Sequence, residues 1–235
     1  MVWRAARIEA LRLFTEPGLA AFLGLALLPA IAIVAGLPGG VPPSGGALDG
    51  PLHVSLLVNA ALLAAGFGAV RTAVAFRAGV VGRDALVLTS GVGFWMRVVS
   101  SASGGALVAL GAWTFACVGV RIFGHLDVFG APSLGAALML GAGAGIWGAA
   151  IGALVRAPLA VLPLVIVSLS PAMFLSVLFP EAVIALPLGS ALLALDVPII
   201  EAAGERWWSV GVAFLWLIGA LCLSFAMYRE RPLLS

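Results

Sequence analysis

Long apolar segments alternate along the chain with short segments that carry its charges. Six windows contain no Asp, Glu, Lys or Arg, and each has the length of about 20 residues that a helix needs to cross a bilayer. These windows are 18–37, 52–70, 98–120, 133–155, 157–179 and 207–228. Because a charge at the bilayer centre costs about 2.5–3.5 kcal/mol on insertion scales, the pattern predicts an all-α protein with six transmembrane helices.

The arginines predict how these helices are oriented. If the N-terminus is inside, only Arg121 and Arg206 of the 12 arginines lie on the outer side. Cytoplasmic loops are enriched in basic residues, so this asymmetry predicts that both termini are cytoplasmic. We therefore expect a multi-pass protein of a bacterial cytoplasmic membrane.

The first 17 residues predict a helix that lies flat on the inner membrane surface. Its apolar side chains fall within one arc of about 120° on a helical wheel, and its charges occupy the remainder. The apolar set is Val2, Trp3, Ala6, Ala10, Leu13 and Phe14. Pro17 ends this helix before the first span. The alternative is a simple extension of the first span.

Segment 180–206 is apolar but is too interrupted to form another span. Pro187, Gly189 and Pro198 break it, and its charge-free run between Glu181 and Asp196 is shorter than a span requires. We expect a re-entrant or interfacial helical hairpin on the outer side, which begins around Pro180, Glu181 and Pro187. The alternative is a hydrophobic loop on the surface.

Residues 71–97 form the longest connection on the predicted cytoplasmic side. Within it, 83–89 is bracketed by glycines and predicts a short helix, with Asp84 in the first turn. A short helix in this position is suited to docking a soluble partner. The alternative is that the arginines of this loop only anchor the protein at the inner membrane surface.

Glycines at a spacing of four residues occur twice in the fourth window. Gly141 and Gly145 form one small-xxx-small pattern, and Gly148 and Gly152 form another. Such patterns allow helices to approach closely in lipid, where van der Waals contact drives helix association. They predict close packing, either within the chain or between two copies of it.

The composition excludes several classes of protein. Hydrophobic residues make up 63% of the chain and charged residues 9%, with a mean hydropathy of +1.20. A soluble domain carries about 25% charged residues. A soluble enzyme, a disordered chain and a nucleic-acid-binding module are therefore excluded. The chain also has no lysine, so it cannot contain a phosphate-binding P-loop.

Few side chains in the windows could take part in chemistry. Asn59, Ser168 and Ser170 are the notable polar residues, and each either joins two helices or lines a substrate path. Cys117 and Cys222 stand alone in apolar runs, so no disulfide framework or thiolate metal site follows. We expect no catalytic residue, no metal site and no cofactor bound by this chain.

The order of these elements resembles the permease subunit of type-2 ABC transporters. The shared order is an N-terminal amphipathic helix, six spans, a helix-bearing loop after span two and a broken outer hairpin before span six. Arg77-Ala78-Gly79 through Leu86 to Ser90 matches in part the loop that this family carries after span two. Ser176 to Pro180, followed by Leu186-Pro187, is similar to the family's segment before the last span.

The resemblance implies an exporter in which two permease chains form the path and two separate ABC ATPase subunits bind ATP and Mg. It implies that the loop docks on the ATPase through Arg77, Gly79, Arg83, Asp84 and Leu86. The expected substrate is a hydrophobic or amphipathic drug, antibiotic, peptide or lipid, and efflux would confer resistance. The alternatives are a non-pumping membrane scaffold or immunity protein that binds a ligand, and a haem-exporter-type permease.

Overall fold

The computed structural model describes residues 11–28, 31, 50–81, 90–124, 131–197 and 206–230, and these residues contain helices and no strand. The helices are α1 (Pro17–Leu25), α2 (Gly50–Arg77), α3 (Ser90–Gly124), α4 (Ala131–Val155), α5 (Pro158–Leu169), α6 (Pro171–Leu178), a 3₁₀ segment (Pro180–Ala185), α7 (Pro187–Ala194) and α8 (Arg206–Glu230). The predicted all-α class is confirmed for this part of the chain.

Five helical segments are long and apolar enough to cross a membrane. They are Val54–Arg77, Val92–Gly119, Leu134–Val155, Pro158–Leu175 and Trp207–Tyr228. Each overlaps one of the last five charge-free windows. Much of the first window, 18–37, lies outside the described residues, so this count does not test that span.

Helices α2 and α4 run parallel and touch backbone to backbone. A Cβ atom added at Gly148 would lie 1.9 Å from the carbonyl oxygen of Ala65, and one at Gly152 would lie 2.2 Å from that of Ala69. Both distances are far below van der Waals contact, so only glycine fits at these positions. The result is the most extensive helix pair in the fold.

Helix α3 packs antiparallel against the other part of the glycine pattern on α4. A Cβ atom at Gly145 would lie 2.3 Å from the carbonyl oxygen of Ser101, and one at Gly141 would lie 2.4 Å from the Cβ atom of Ala109. All four patterned glycines therefore mediate contacts within this chain, and α2, α3 and α4 form its core.

Helix α1 runs antiparallel to α2 and lies against both α2 and α3. Glu16 contacts Arg71 near one end of α2, and Phe22 meets Phe67 one turn further in, with ring centroids 5.8 Å apart. The C-terminal end of α8 reaches the same end of α2, where the Tyr228 ring lies 5.0 Å from the Phe76 ring. The N-terminal segment and the end of α8 therefore lie at the same end of the bundle.

The N-terminal segment is also attached to the bundle by an apolar side chain. Leu13 is 3% exposed and packs with Leu19, Phe67 and Val108, whereas the neighbouring Phe14 is 68% exposed. The helical wheel predicts that Leu13 and Phe14 share one apolar face. In the structure the two differ, because only Leu13 faces the cleft between α2 and α3. Residues 1–10 of the predicted surface helix lie outside the described residues.

The connection between α2 and α3 is shorter than the predicted connection of residues 71–97. Helix α2 continues past its apolar window to Arg77, and α3 begins at Ser90. Arginine and alanine sustain a helix well, so the change in hydropathy did not mark its end. The chain leaves α2 at Gly79, whose φ of +65° is a left-handed conformation that favours glycine. The predicted helix 83–89 lies outside the described residues.

The fifth span and the segment after it are broken by prolines. Pro171 separates α5 from α6, because proline lacks an N–H and its ring clashes with the carbonyl group four residues earlier. The 3₁₀ segment and α7 follow, and α7 buries Leu188, Ser190 and Leu192 against the rest of the fold. The second arm of the predicted outer hairpin includes 198–205, which lies outside the described residues.

Candidate functional site

A groove of about 740 Å³ lies between α1, α2 and α5. Its walls are apolar apart from the amide of Asn59. The Asn59 Nδ2 group donates to the carbonyl oxygen of Ser55, one turn earlier, at 2.9 Å. Among the described residues, no donor reaches the Asn59 side-chain oxygen. The groove thus combines a large apolar surface with one free hydrogen-bond acceptor.

A second cavity of about 280 Å³ lies between α4, α7 and α8. Trp147 and Trp216 form part of its wall, and their rings meet edge to face with centroids 5.4 Å apart. Trp147 Nε1 donates to Ser168 Oγ at 3.1 Å, and Trp216 Nε1 donates to the carbonyl oxygen of Ala185 at 2.9 Å. Since both indole N–H groups are already paired, the two rings offer a ligand only apolar surface.

The three residues expected to line a substrate path do not come together. Asn59 lines the larger groove. Ser168 lines neither cavity. Its hydroxyl accepts a hydrogen bond from Trp147, which joins α4 to α5, and it donates to the carbonyl oxygen of Val165 within α5. Ser170 lies at the break before Pro171, where its N–H donates to the carbonyl oxygen of Ile166.

The residues expected to couple to a partner lie at the end of α2. Arg77 is exposed on the last turn of that helix, and Gly79 forms the turn that follows. Arg83, Asp84 and Leu86 lie outside the described residues. At the outer segment, Pro180 begins the 3₁₀ turn and Glu181 is exposed, while Pro187 lines the smaller cavity.

An ion pair that the sequence did not reveal joins α1, α2 and α3. Arg71 Nε donates to Glu16 Oε2 at 2.6 Å, and Arg71 Nη1 donates to Ser100 Oγ. The side chain of Arg71 is 11% exposed and that of Glu16 is 30% exposed. One feature of the sequence could have predicted this ion pair. The two opposite charges each lie within two residues of a charge-free window, at the same predicted membrane depth.

We expect the substitution Trp216→Phe to lower the melting temperature by about 2–4 °C, because it removes one hydrogen bond worth about 1 kcal/mol and keeps the ring contact. The bond matters because α8 is the least buried of the five apolar segments. Trp207→Phe is the matched control, since Trp207 is 81% exposed on the same helix. Equal melting temperatures for the two variants in detergent would refute a role for the bond.

In the described part of the chain, no group of three His, Cys, Asp or Glu side chains could hold a metal ion. No known family model matches the chain, and a search of the curated proteins found no similar sequence.

Proposed function

We propose that this chain is the permease subunit of an ATP-driven exporter of the type-2 ABC class, with a hydrophobic or amphipathic substrate. The observation that carries the proposal is the groove of about 740 Å³ between α1, α2 and α5. Small-molecule sites are mostly apolar, with a few polar groups that fix the orientation of the ligand. An apolar groove with the single amide of Asn59 suits a molecule with a large apolar body and one donor group.

The distribution of charge supports an external source of energy. The chain has no lysine and so no P-loop, and the charge-free windows contain no carboxylate of the kind that proton-coupled carriers use. The partly buried Arg71 and Glu16 pair with each other at one end of the bundle, where they tie helices together. ATP and Mg would then be bound by a separate ATPase, with two copies in the complex.

The expected assembly follows from the same proposal. Six crossings would place both termini in the cytoplasm, and the end of the bundle that carries Arg77 and Gly79 would face the ATPase. The 180–206 segment would cap the outer side, and a second copy of the chain would complete the path. The contact of Glu16 and of Tyr228 with the same end of α2 supports an even number of crossings.

Co-purification tests the proposed complex. We expect the affinity-tagged chain to retain an ABC ATPase encoded by a neighbouring gene, in equal copy number, through detergent extraction and size exclusion. The phenotype of the chain should also disappear when the ATPase carries a hydrolysis-dead substitution. A phenotype that persists in that background would contradict pumping and would indicate a ligand-binding scaffold.

We expect Asn59→Leu to lower export of an amphipathic substrate about fivefold, because one hydrogen bond to the substrate is worth about 1 kcal/mol. Leu62→Met is the matched control, because it lies in the same groove and nearly conserves side-chain volume. The measurement is the efflux rate in cells at equal protein level. Equal rates for the two variants would remove the groove from the path.

A further inference from the structure

The corner between α4 and α5 has an unusual residue for its conformation. The chain turns there through Arg156 and Ala157, and Arg156 has a φ of 55°. This left-handed conformation is adopted readily by glycine, whereas a Cβ atom makes it unfavourable. The chain is rich in glycine, with 30 in all, yet it has arginine at this turn. Since the backbone at this turn favours glycine, we attribute the presence of arginine to the function of its side chain.

The guanidinium of Arg156 is held in place but is incompletely paired. Its Cζ atom lies 4.7 Å from the centroid of the Phe76 ring, and its Nε donates to the carbonyl oxygen of Ala153 at 3.3 Å. Its Nη2 is buried and has no hydrogen-bond partner. No carboxylate of the described residues forms an ion pair with it. Nη2 itself is enclosed, but Arg156 is only partly buried, and Nη1, which has no hydrogen-bond partner among the described residues either, is the donor suited to bind an anion.

The surroundings of Arg156 favour a lipid headgroup as the anion. The residue joins two of the membrane-length segments, so it lies at the depth where lipid headgroups would meet the bundle. Leu154 is 54% exposed and Leu159 is 88% exposed, one on each side of the corner. Exposed leucines beside a cation match a ligand that has acyl chains next to its charge.

The ligand would also stabilise the place where several helices end. Phe76, on which Arg156 is stacked, contacts Tyr228 of α8, and Tyr228 contacts Phe94 of α3. An anion on Arg156 would neutralise the charge that is stacked on Phe76 and would hold α2, α4 and α5 together. Binding should therefore raise the thermal stability of the whole bundle.

We propose that Arg156 binds the phosphate of an anionic phospholipid headgroup, with the acyl chains against Leu154 and Leu159. Phosphate is the common chemistry of a lipid headgroup and of free inorganic phosphate, and the exposed leucines favour the lipid. Arg156 Nη1 would donate to one phosphate oxygen, since Nε is already paired and Nη2 is enclosed. This site is independent of the proposed export function.

Thermal unfolding of the full chain in lipid nanodiscs tests the proposal. We expect the melting temperature to rise by about 3 °C or more when phosphatidylglycerol is added to phosphatidylcholine, which corresponds to a modest binding free energy for a chain of this size. Arg156→Gln and Arg156→Gly should both fold and lose this rise. The glycine variant relieves the backbone, so its loss of the rise cannot be ascribed to a distorted turn.

Two controls can overturn the proposal. Arg77→Gln removes one exposed charge at the same end of the bundle and should keep the rise. If Arg77→Gln loses as much as Arg156→Gln, the effect is general attraction to an anionic surface and the site does not exist. If inorganic phosphate at about 10 mM reproduces the rise in phosphatidylcholine discs, the ligand is free phosphate and the lipid assignment is wrong. A rise that survives in Arg156→Gln also refutes the proposal.

Discussion

Replacement of Gly148 by alanine is expected to lower the melting temperature by about 6–12 °C, which corresponds to a loss of about 3 kcal/mol in a chain of this size. The added methyl group would lie 1.9 Å from the carbonyl oxygen of Ala65, so α2 and α4 would have to move apart along their whole contact. Alanine gains about 0.5–1 kcal/mol over glycine within a helix, which is too little to compensate.

Gly143→Ala is the matched control on the same helix. No atom lies within 4 Å of a Cβ atom built at Gly143, so alanine there should leave the melting temperature unchanged or raise it slightly. The measurement is thermal unfolding of both variants in the same detergent. If Gly148→Ala is as stable as Gly143→Ala, the close approach of α2 and α4 is incorrect.

The second large effect is expected from breaking the ion pair between α1 and α2. Glu16→Gln should destabilise the fold by about 2 kcal/mol, because it leaves the guanidinium of Arg71, which is 11% exposed, without this carboxylate. Arg71→Gln should cost less, because Glu16 is 30% exposed and can be hydrated. Arg77→Gln, at an exposed position on the same helix, should have almost no effect.

A double-mutant cycle separates the pair from other effects of the substitutions. Because the double variant removes both charges together, it should be more stable than the sum of the two single variants implies, by about 1 kcal/mol or more. The measurement is reversible unfolding in mixed detergent. Strictly additive effects would show that Glu16 and Arg71 do not stabilise each other.

The helices were predictable to the extent that lipid constrains the sequence. Since each charge inside the bilayer is costly, the charge-free windows overlap all five membrane-length helices. Helix ends were less predictable, because Arg71 and Arg77 continue α2 beyond its window at little cost. The glycine spacing predicted close packing, but only the fold assigns Gly148 to α2 and Gly145 to α3.

The candidate site depended on contacts that a single sequence does not encode. Trp147 and Trp216 are far apart in the chain, and nothing in their local patterns predicts that their rings meet. Ser168 and Asn59 looked equivalent as buried polar residues. In the fold, the hydroxyl of Ser168 joins two helices, whereas the amide of Asn59 lines a groove. Polarity alone therefore could not separate packing from binding.

The central proposal is that another chain's ATP hydrolysis drives this protein, and the ATPase rate tests it most directly. The neighbouring ATPase would be reconstituted in nanodiscs with and without this chain, and ATP hydrolysis would be measured at equal ATPase concentration. We expect the two proteins to form one complex, in which this chain raises the hydrolysis rate several-fold. Identical rates, with this chain eluting alone, would contradict it.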